Sequence, residues 1–360
     1  MATKVKEAAS APTPMMAQYL ALKAEVEDCL LFYRMGDFFE MFFEDARAAA
    51  LCLDIALTAR GEHEGEPIPM CGVPIHAAEA YLARLIKAGH RVAIAEQTES
   101  PAEAKKRGSK SVVARAIVRV VTAGTLTEEA LLDSRAANWL VAVARAGELY
   151  GLAAADVSTG RFELSSVAAS ALDAELARLS AAEIVAPEPF DALQGQPLRQ
   201  RRDGFDSLSA ERRLKERFGV ATLDGFGGFD RAALAAAGGL LAYLDEVARE
   251  TLPFLQPPLG RAAGGHMMID AATRESLELS VSASGTRAGS LLAAVDRTVT
   301  GAGARLLAAD IGAPLLGRPL IEARLDLVSL FADDAGLRDG LRRQLKARPD
   351  IGRALGRRPR

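Results

Sequence analysis

Cysteine is rare in this chain: Cys29, Cys52 and Cys71 are the only three in 360 residues. None stands in a CxxC pair or beside paired histidines, which excludes a disulfide framework and a Cys/His zinc site and makes a reducing compartment the simplest one. Lysine is scarce and the formal net charge is −3. The chain as a whole is therefore no basic polyanion binder, and any such surface must come from local segregation of charge. No uninterrupted apolar run reaches the ~18 residues of a membrane span. Lys4 and Lys6 precede no apolar core, so the first residues do not read as a secretory signal. No Gly-Lys dipeptide occurs anywhere, and this excludes the glycine-rich P-loop that cradles nucleotide phosphates. On that ground the chain is not read as an ATPase or any other enzyme. There are no tandem repeats.

What is present describes an ordinary globular protein, with 49% hydrophobic and 25% charged residues. The length suggests two or three domains. Residues 1–12 are small and polar and read as disordered. Thr13 and Pro14 form a helix start, a cap followed by proline in the first turn. From there to about residue 130, strand and helix patterns alternate as in a mixed α/β domain. A second α/β unit follows over 131–260, with strands expected near Trp139–Val143, Leu149–Asp156, Arg161–Ser165 and Ala182–Ala186. Residues 203–230 are rich in glycine and phenylalanine and read as a long segment tucked onto that unit. Ala232–Thr251 is a helix ended by Pro253, Pro257 and Pro258. Residues 261–360 read as helices throughout.

One stretch organises the rest: Leu31-Phe32-Tyr33-Arg34-Met35-Gly36-Asp37-Phe38-Phe39-Glu40-Met41-Phe42. Leu30 to Met35 is an apolar run suited to a buried strand. Gly36 breaks it, and Asp37 is a good N-cap. Phe39, Phe42, Phe43, Ala46, Ala50 and Leu53 fall on one helical face, so the spacing predicts a helix from Asp37 onward. Phe38 and Glu40 then flank the core stripe. Each has two readings. Phe38 is either edge-of-core packing or an aromatic that projects outward. Glu40 is either the closing residue of a capping box on Asp37 or a free carboxylate.

Three further features bear on chemistry. Between Arg84 and Arg119 nine Lys or Arg face three Glu, centred on Lys105, Lys106, Arg107 and Lys110. Such a run is either a solvated surface or a set of phosphate contacts. His76, at a helix start, reads as a cap or structural donor. Asp156 is the one acid in two central strands of the second unit. Two-metal nuclease chemistry needs several converging carboxylates, and Glu163, Glu175 and Glu183 form no evident set with it.

The run Met35-Gly36-Asp37-Phe38-Phe39-Glu40 resembles the mismatch-sensing motif of the MutS family of DNA mismatch repair proteins. The resemblance continues through Thr13-Pro14-Met15-Met16, Pro69 to Val73, Ala93 to Gln97, Arg115 to Asp133 and Gly301 to Leu306, nearly the whole chain. It implies a mismatch-recognition domain over 13–130, a ribonuclease-H-like connector over 131–260 around Asp156-Val157-Ser158-Thr159-Gly160, and the start of an all-α core and lever domain over 261–360. It also implies that Phe38 wedges at mispaired or unpaired bases and that Glu40 meets the displaced base. Lys105, Lys106, Arg107 and Lys110 would then touch the backbone. Family members bind ATP and Mg, form homodimers, and work with a MutL-type partner through the connector, in the cytoplasm and on the nucleoid. The chain is thus expected to be an N-terminal piece that lacks the ATPase. The alternatives are a ribonuclease-H-like nuclease centred on Asp156, or a protein-docking connector module.

Overall fold

The computed structural model describes residues 12–108, 111–193, 198–249, 252–261 and 264–356. Two compact units are present: residues 1–123 with 246–251, and residues 124–245 with 252–360. The expected connector and helical segments lie together within the second. Both units are mixed α/β, and no helix is long and apolar enough to cross a membrane among the described residues.

In the first unit the order is α1 (Pro14–Ala24), β1 (Leu30–Met35), β2 (Phe38–Phe42), α2 (Phe43–Leu53), β3 (Thr58–His63), β4 (Glu66–Pro74), α3 (Ala78–Lys87), β5 (Val92–Gln97), α4 (Pro101–Lys106) and β6 (Arg115–Val121). Thr13 caps α1 by accepting the Met16 amide, with Pro14 at its first position. The six strands form one sheet in the order β3-β4-β2-β1-β5-β6. Its centre is Leu31, Phe32, Tyr33, Met41, Phe42, Val73 and Val92, all buried. One acid knits the elements together. Asp45, buried on α2, accepts from the Leu31 amide of β1 at 2.9 Å and pairs with Lys23 of α1 at 2.9 Å. The Tyr19 hydroxyl donates to the same carboxylate at 3.3 Å, and burial drives that phenol far above its ordinary range.

The helix expected from Asp37 is a strand up to Phe42, and α2 starts only at Phe43. The apolar positions fit both periods over so short a run. Pairing decides between them: β2 lies between β1 and β4, with Tyr33 opposite Glu40 and Val73 opposite Phe39. The chain then swings into α2 through Phe43, whose φ is +55°.

The second unit runs β7 (Leu140–Ala146), β8 (Leu149–Asp156), β9 (Arg161–Ala168), α5 (Leu172–Leu179), β10 (Glu183–Pro187), β11 (Leu198–Arg201), α6 (Ser207–Phe218), α7 (Arg231–Ala248) and β12 (Leu259–Gly260), then helices α8 (Ala271–Ser276), α9 (Leu291–Val295), α10 (Gly301–Gly312), α11 (Arg318–Asp333), α12 (Ala335–Lys346) and α13 (Ile351–Gly356). Its sheet has the order β11-β10-β7-β8-β9-β12. β7, β8 and β9 form an antiparallel meander, and β10 joins β7 in parallel. Trp139, Val141, Tyr150, Leu152, Leu176 and Ile184 pack as one core. A Cβ on Gly151 would lie 1.9 Å from the Ala232 carbonyl, so this strand position must be glycine for α7 to seat there. The segment 203–230, for which the sequence suggests no regular element, contains α6, capped by Asp206 and ended by Gly219 at φ +65°. Only Ser207, Ala210 and Leu214 of α6 are buried, too narrow a stripe to stand out in sequence. Leu320, Leu325, Leu327, Val328 and Leu330 of α11 are half or more exposed.

Candidate nucleic-acid interface

Strand geometry changes what Phe38 and Glu40 can do together. In a helix they would point apart; in a strand, residues i and i+2 share a face. Phe39 and Met41 turn inward, with Phe39 stacked on Phe32 at 5.5 Å, while Phe38 is 46% exposed. The tight β1–β2 turn forces this. Met35 pairs with Phe38 across two central residues, and Gly36 has φ +58° while Asp37 does not take a positive φ. That sign pattern belongs to a type II′ hairpin, which places glycine first. The tip is fastened on both sides. Arg34 Nε donates to the Gly36 carbonyl at 2.7 Å, and the Ile75 amide donates to the Asp37 carbonyl at 3.0 Å.

Glu40 closes no capping box, since α2 begins three residues later. Its carboxylate meets Arg60 of β3, whose Nη1 lies 2.7 Å from Oε1 and 2.6 Å from Oε2. The Glu40 side chain is 13% exposed and the Arg60 side chain 44%. Gly72 stands opposite Glu40 on β4, where a Cβ would sit in ordinary contact with the side chains of Glu40 and Phe38 at 3.7 and 3.9 Å.

Register also shows what shares the tip's end of the sheet. β1 and β5 are parallel, so their C-terminal ends, Met35 and Gln97, leave the sheet together. Gln97 pairs with Arg115 at the start of β6. The connection between these two strands carries α4, whose Ser100–Glu103 capping box fixes its start. Lys105 and Lys106 are exposed there, with no ion pair among the described residues. Arg107 is exposed but tied to Glu99 and to the Val112 carbonyl. Lys110 lies outside the described residues. Arg34 pairs with Glu96 at 3.3 Å, and Arg115 braces the hairpin by donating to the Arg34 carbonyl at 2.6 Å while stacking on Tyr33 at 4.6 Å. One end of the sheet thus presents an aromatic ring, a neutralised carboxylate and several cations. Arg34, Arg60 and Arg115 were not legible as site residues, because only strand pairing brings them there. His76 is exposed and caps neither the one-turn helix it stands in nor α3, contrary to the expectation of a cap.

The acids of the second unit are engaged elsewhere. Asp156 is buried and accepts from the Ser158 amide at 3.1 Å and its hydroxyl at 2.6 Å. Glu163 and Glu175 pair with Arg178. Glu183 accepts from the Gly124 amide at 3.0 Å. No group of three or more His, Cys, Asp or Glu stands close enough to hold a metal among the described residues.

Comparison with known proteins defines the class. Family models described as MutS domain I, MutS domain II and MutS domain III match residues 13–130, 138–256 and 272–358. The chain belongs to the MutS family. It is 63% identical over 350 residues to the DNA mismatch repair protein MutS of Zymomonas mobilis, covering 95% of this chain and 40% of that protein. It is 59% identical over 356 residues to the protein of the same name from Erythrobacter litoralis, and 53% identical over 357 residues to that of Roseobacter denitrificans, with 96% of this chain and 40% of the relative covered in each case. The chain spans about 40% of the length of these relatives.

Proposed function

We propose that the first unit recognises mispaired or unpaired bases in duplex DNA for mismatch repair, with Phe38 as the wedge. The observation that carries this reading is a phenylalanine ring left 46% exposed at the tip of a hairpin whose other core residues are sealed. Apolar wedges inserted from the minor groove unstack a step and kink the duplex. Unstacking costs a few kcal/mol, and less where pairing is already defective. Stacking a base on an aromatic ring returns about 1–3 kcal/mol. The two nearly cancel on paired DNA and favour binding at a mismatch, where the step also bends more easily.

Glu40 sets the penalty on ordinary duplex. A carboxylate beside phosphates is repelled and recovers that cost only by a hydrogen bond to a displaced base. If the base offers an acceptor, one partner must carry a proton, which desolvation favours for the acid. Arg60 covers the carboxylate in the free protein, so engaging a base requires the pair to separate. With the Arg60 side chain 44% exposed the pair is screened by solvent and contributes on the order of 1 kcal/mol, small enough for a base contact to replace. Lys105, Lys106, Arg107 and Lys110 supply backbone affinity without sequence preference.

The same reading assigns coupling to ATP and Mg, homodimer formation and clamp closure to the family's remaining segments, and docking of a MutL-type partner to the connector. It places the protein in the cytoplasm on the nucleoid. Nuclease chemistry at Asp156 is disfavoured by the commitment of that carboxylate to Ser158. Equilibrium binding of the wild-type chain to matched and G·T duplexes at one salt concentration tests the proposal. Tighter binding of the G·T duplex is expected, and equal affinity for both would refute it.

A further inference from the structure

A cavity of about 440 Å³ opens in the second unit beside β9, α5 and the segment that leads into α8. Leu149, Val167, Met267 and Ile269 give it apolar wall. Arg178, Arg261 and Arg274 bring three guanidinium groups to the same space, with His266 and one lining carboxylate, Glu175. These cations are not equivalent. Arg178 is held by Glu175 at 2.8 Å and Glu163 at 3.4 Å. Arg274 donates to the carbonyls of Ile269 and Gly312 at 3.0 and 2.5 Å. Arg261 is pinned by its backbone, whose amide donates to the Leu164 carbonyl at 2.9 Å and extends the sheet edge. Its guanidinium forms no hydrogen bond or ion pair among the described residues. The His266 Nδ1 is also buried, with no hydrogen-bond partner among the described residues, and an orphaned buried nitrogen calls for an explanation.

Three arginines against Glu175 and Glu163 leave the cavity with surplus positive charge. Burial and the neighbouring Arg178 push the Arg261 guanidinium below its ordinary range, and Glu175 and Glu163 offset this only in part. Guanidinium groups match phosphate oxygens in a planar fork, and a phosphate monoester carries about −1.5 to −2 charge. We infer that this cavity binds a small phosphorylated molecule, with its phosphate on Arg261 and His266 and an apolar or ring-bearing body along Leu149, Val167, Met267 and Ile269. The site is independent of the hairpin tip and of any P-loop.

Calorimetric titration of the 360-residue chain with a nucleoside monophosphate and with inorganic phosphate tests this. The monophosphate should bind saturably and more tightly than inorganic phosphate, because only it can use the apolar wall. Arg261→Ala should weaken that binding roughly ten- to a hundredfold, from the ~1.5–3 kcal/mol of a hydrogen bond to a charged group. The side chain of Arg261 has no hydrogen-bond or ion-pair partner among the described residues, so the variant should fold with an unchanged unfolding midpoint. As a second readout, the His266 ring resonances should shift on adding the monophosphate. Absence of saturable binding at millimolar monophosphate, equal binding by Arg261→Ala, or static His266 resonances would overturn the assignment.

Discussion

Two hairpins, one in each unit, solve the same local problem in opposite ways. Both turn a chain at the end of a central strand with a glycine at positive φ, Gly36 in the first and Gly160 in the second. The β8–β9 turn is covered. Gly160 packs so tightly on Phe254 that a Cβ would lie 2.5 Å from that ring, and Gly356 of α13 meets the Ser158 carbonyl as closely. Gln256 donates to the Thr159 carbonyl at 3.2 Å, and Asp156 Oδ1 accepts from both the amide and the hydroxyl of Ser158. The β1–β2 turn is braced from behind by Arg34 and Arg115, yet its phenylalanine is left in solvent. A rigid frame around an unburied aromatic suits a contact kept for a partner, and a buried acid bonded within its own turn suits a structural role. That contrast is why the proposed contact with DNA is put at the first hairpin, although the second holds the more conspicuous acid.

Each half of this contrast can be broken by substitution. The largest effect is expected from the buried acids. Asp45→Ala leaves Lys23 and the Leu31 amide without their partner and should cost about 3–5 kcal/mol in denaturant unfolding. Asp156→Ala removes the two hydrogen bonds that Ser158 donates to one carboxylate oxygen and should cost about 1–3 kcal/mol. A reversed order would mean that the second hairpin, not Asp45, is the stronger fastening. At the tip, Glu40→Gln should raise affinity for fully paired DNA, whereas Arg60→Ala should lower it by uncovering the carboxylate. The double variant should behave as Glu40→Gln alone. Additive changes would show that Arg60 acts on DNA directly and not through Glu40.

Smaller effects sharpen the picture of the frames. Arg135 and Thr298 donate to Asp296 and hold its carboxyl far below the usual range. A carboxyl lowered by folding stabilises above its unfolded value, about 3.9, and that contribution is lost as pH falls toward the folded value. Arg135→Ala should therefore flatten the dependence of the unfolding midpoint on pH below about 4. In the first unit burial raises the Cys29 and Cys71 thiols to about 11. Both should resist alkylation at pH 8 until the protein unfolds, as thiol titration with and without denaturant would show.

Much of the frame was readable in the residues. The α1 cap at Thr13-Pro14, β1, the β7–β8–β9 strands and the alanine-rich α7 all carry long or strongly punctuated patterns. The family motif pointed to Phe38 and Glu40. What failed was the period of residues 37–42, where helix and strand spacing coincide and only pairing with β1 and β4 decides. The Glu40–Arg60 contact spans two strands and leaves no local signature. Arg115 reaches the tip from 80 residues downstream of Met35, and Arg261 and His266 meet only when β12 joins the sheet. Local spacing encodes elements; it does not encode which ends of them come together.

The most direct test is the ratio of affinities for G·T and matched duplexes, measured for wild type and Phe38→Ala at the same ionic strength. Loss of a stacking contact of about 1–3 kcal/mol should collapse the wild-type preference toward unity while leaving the unfolding midpoint unchanged. A Phe38→Ala protein that still discriminates as wild type does would contradict the wedge.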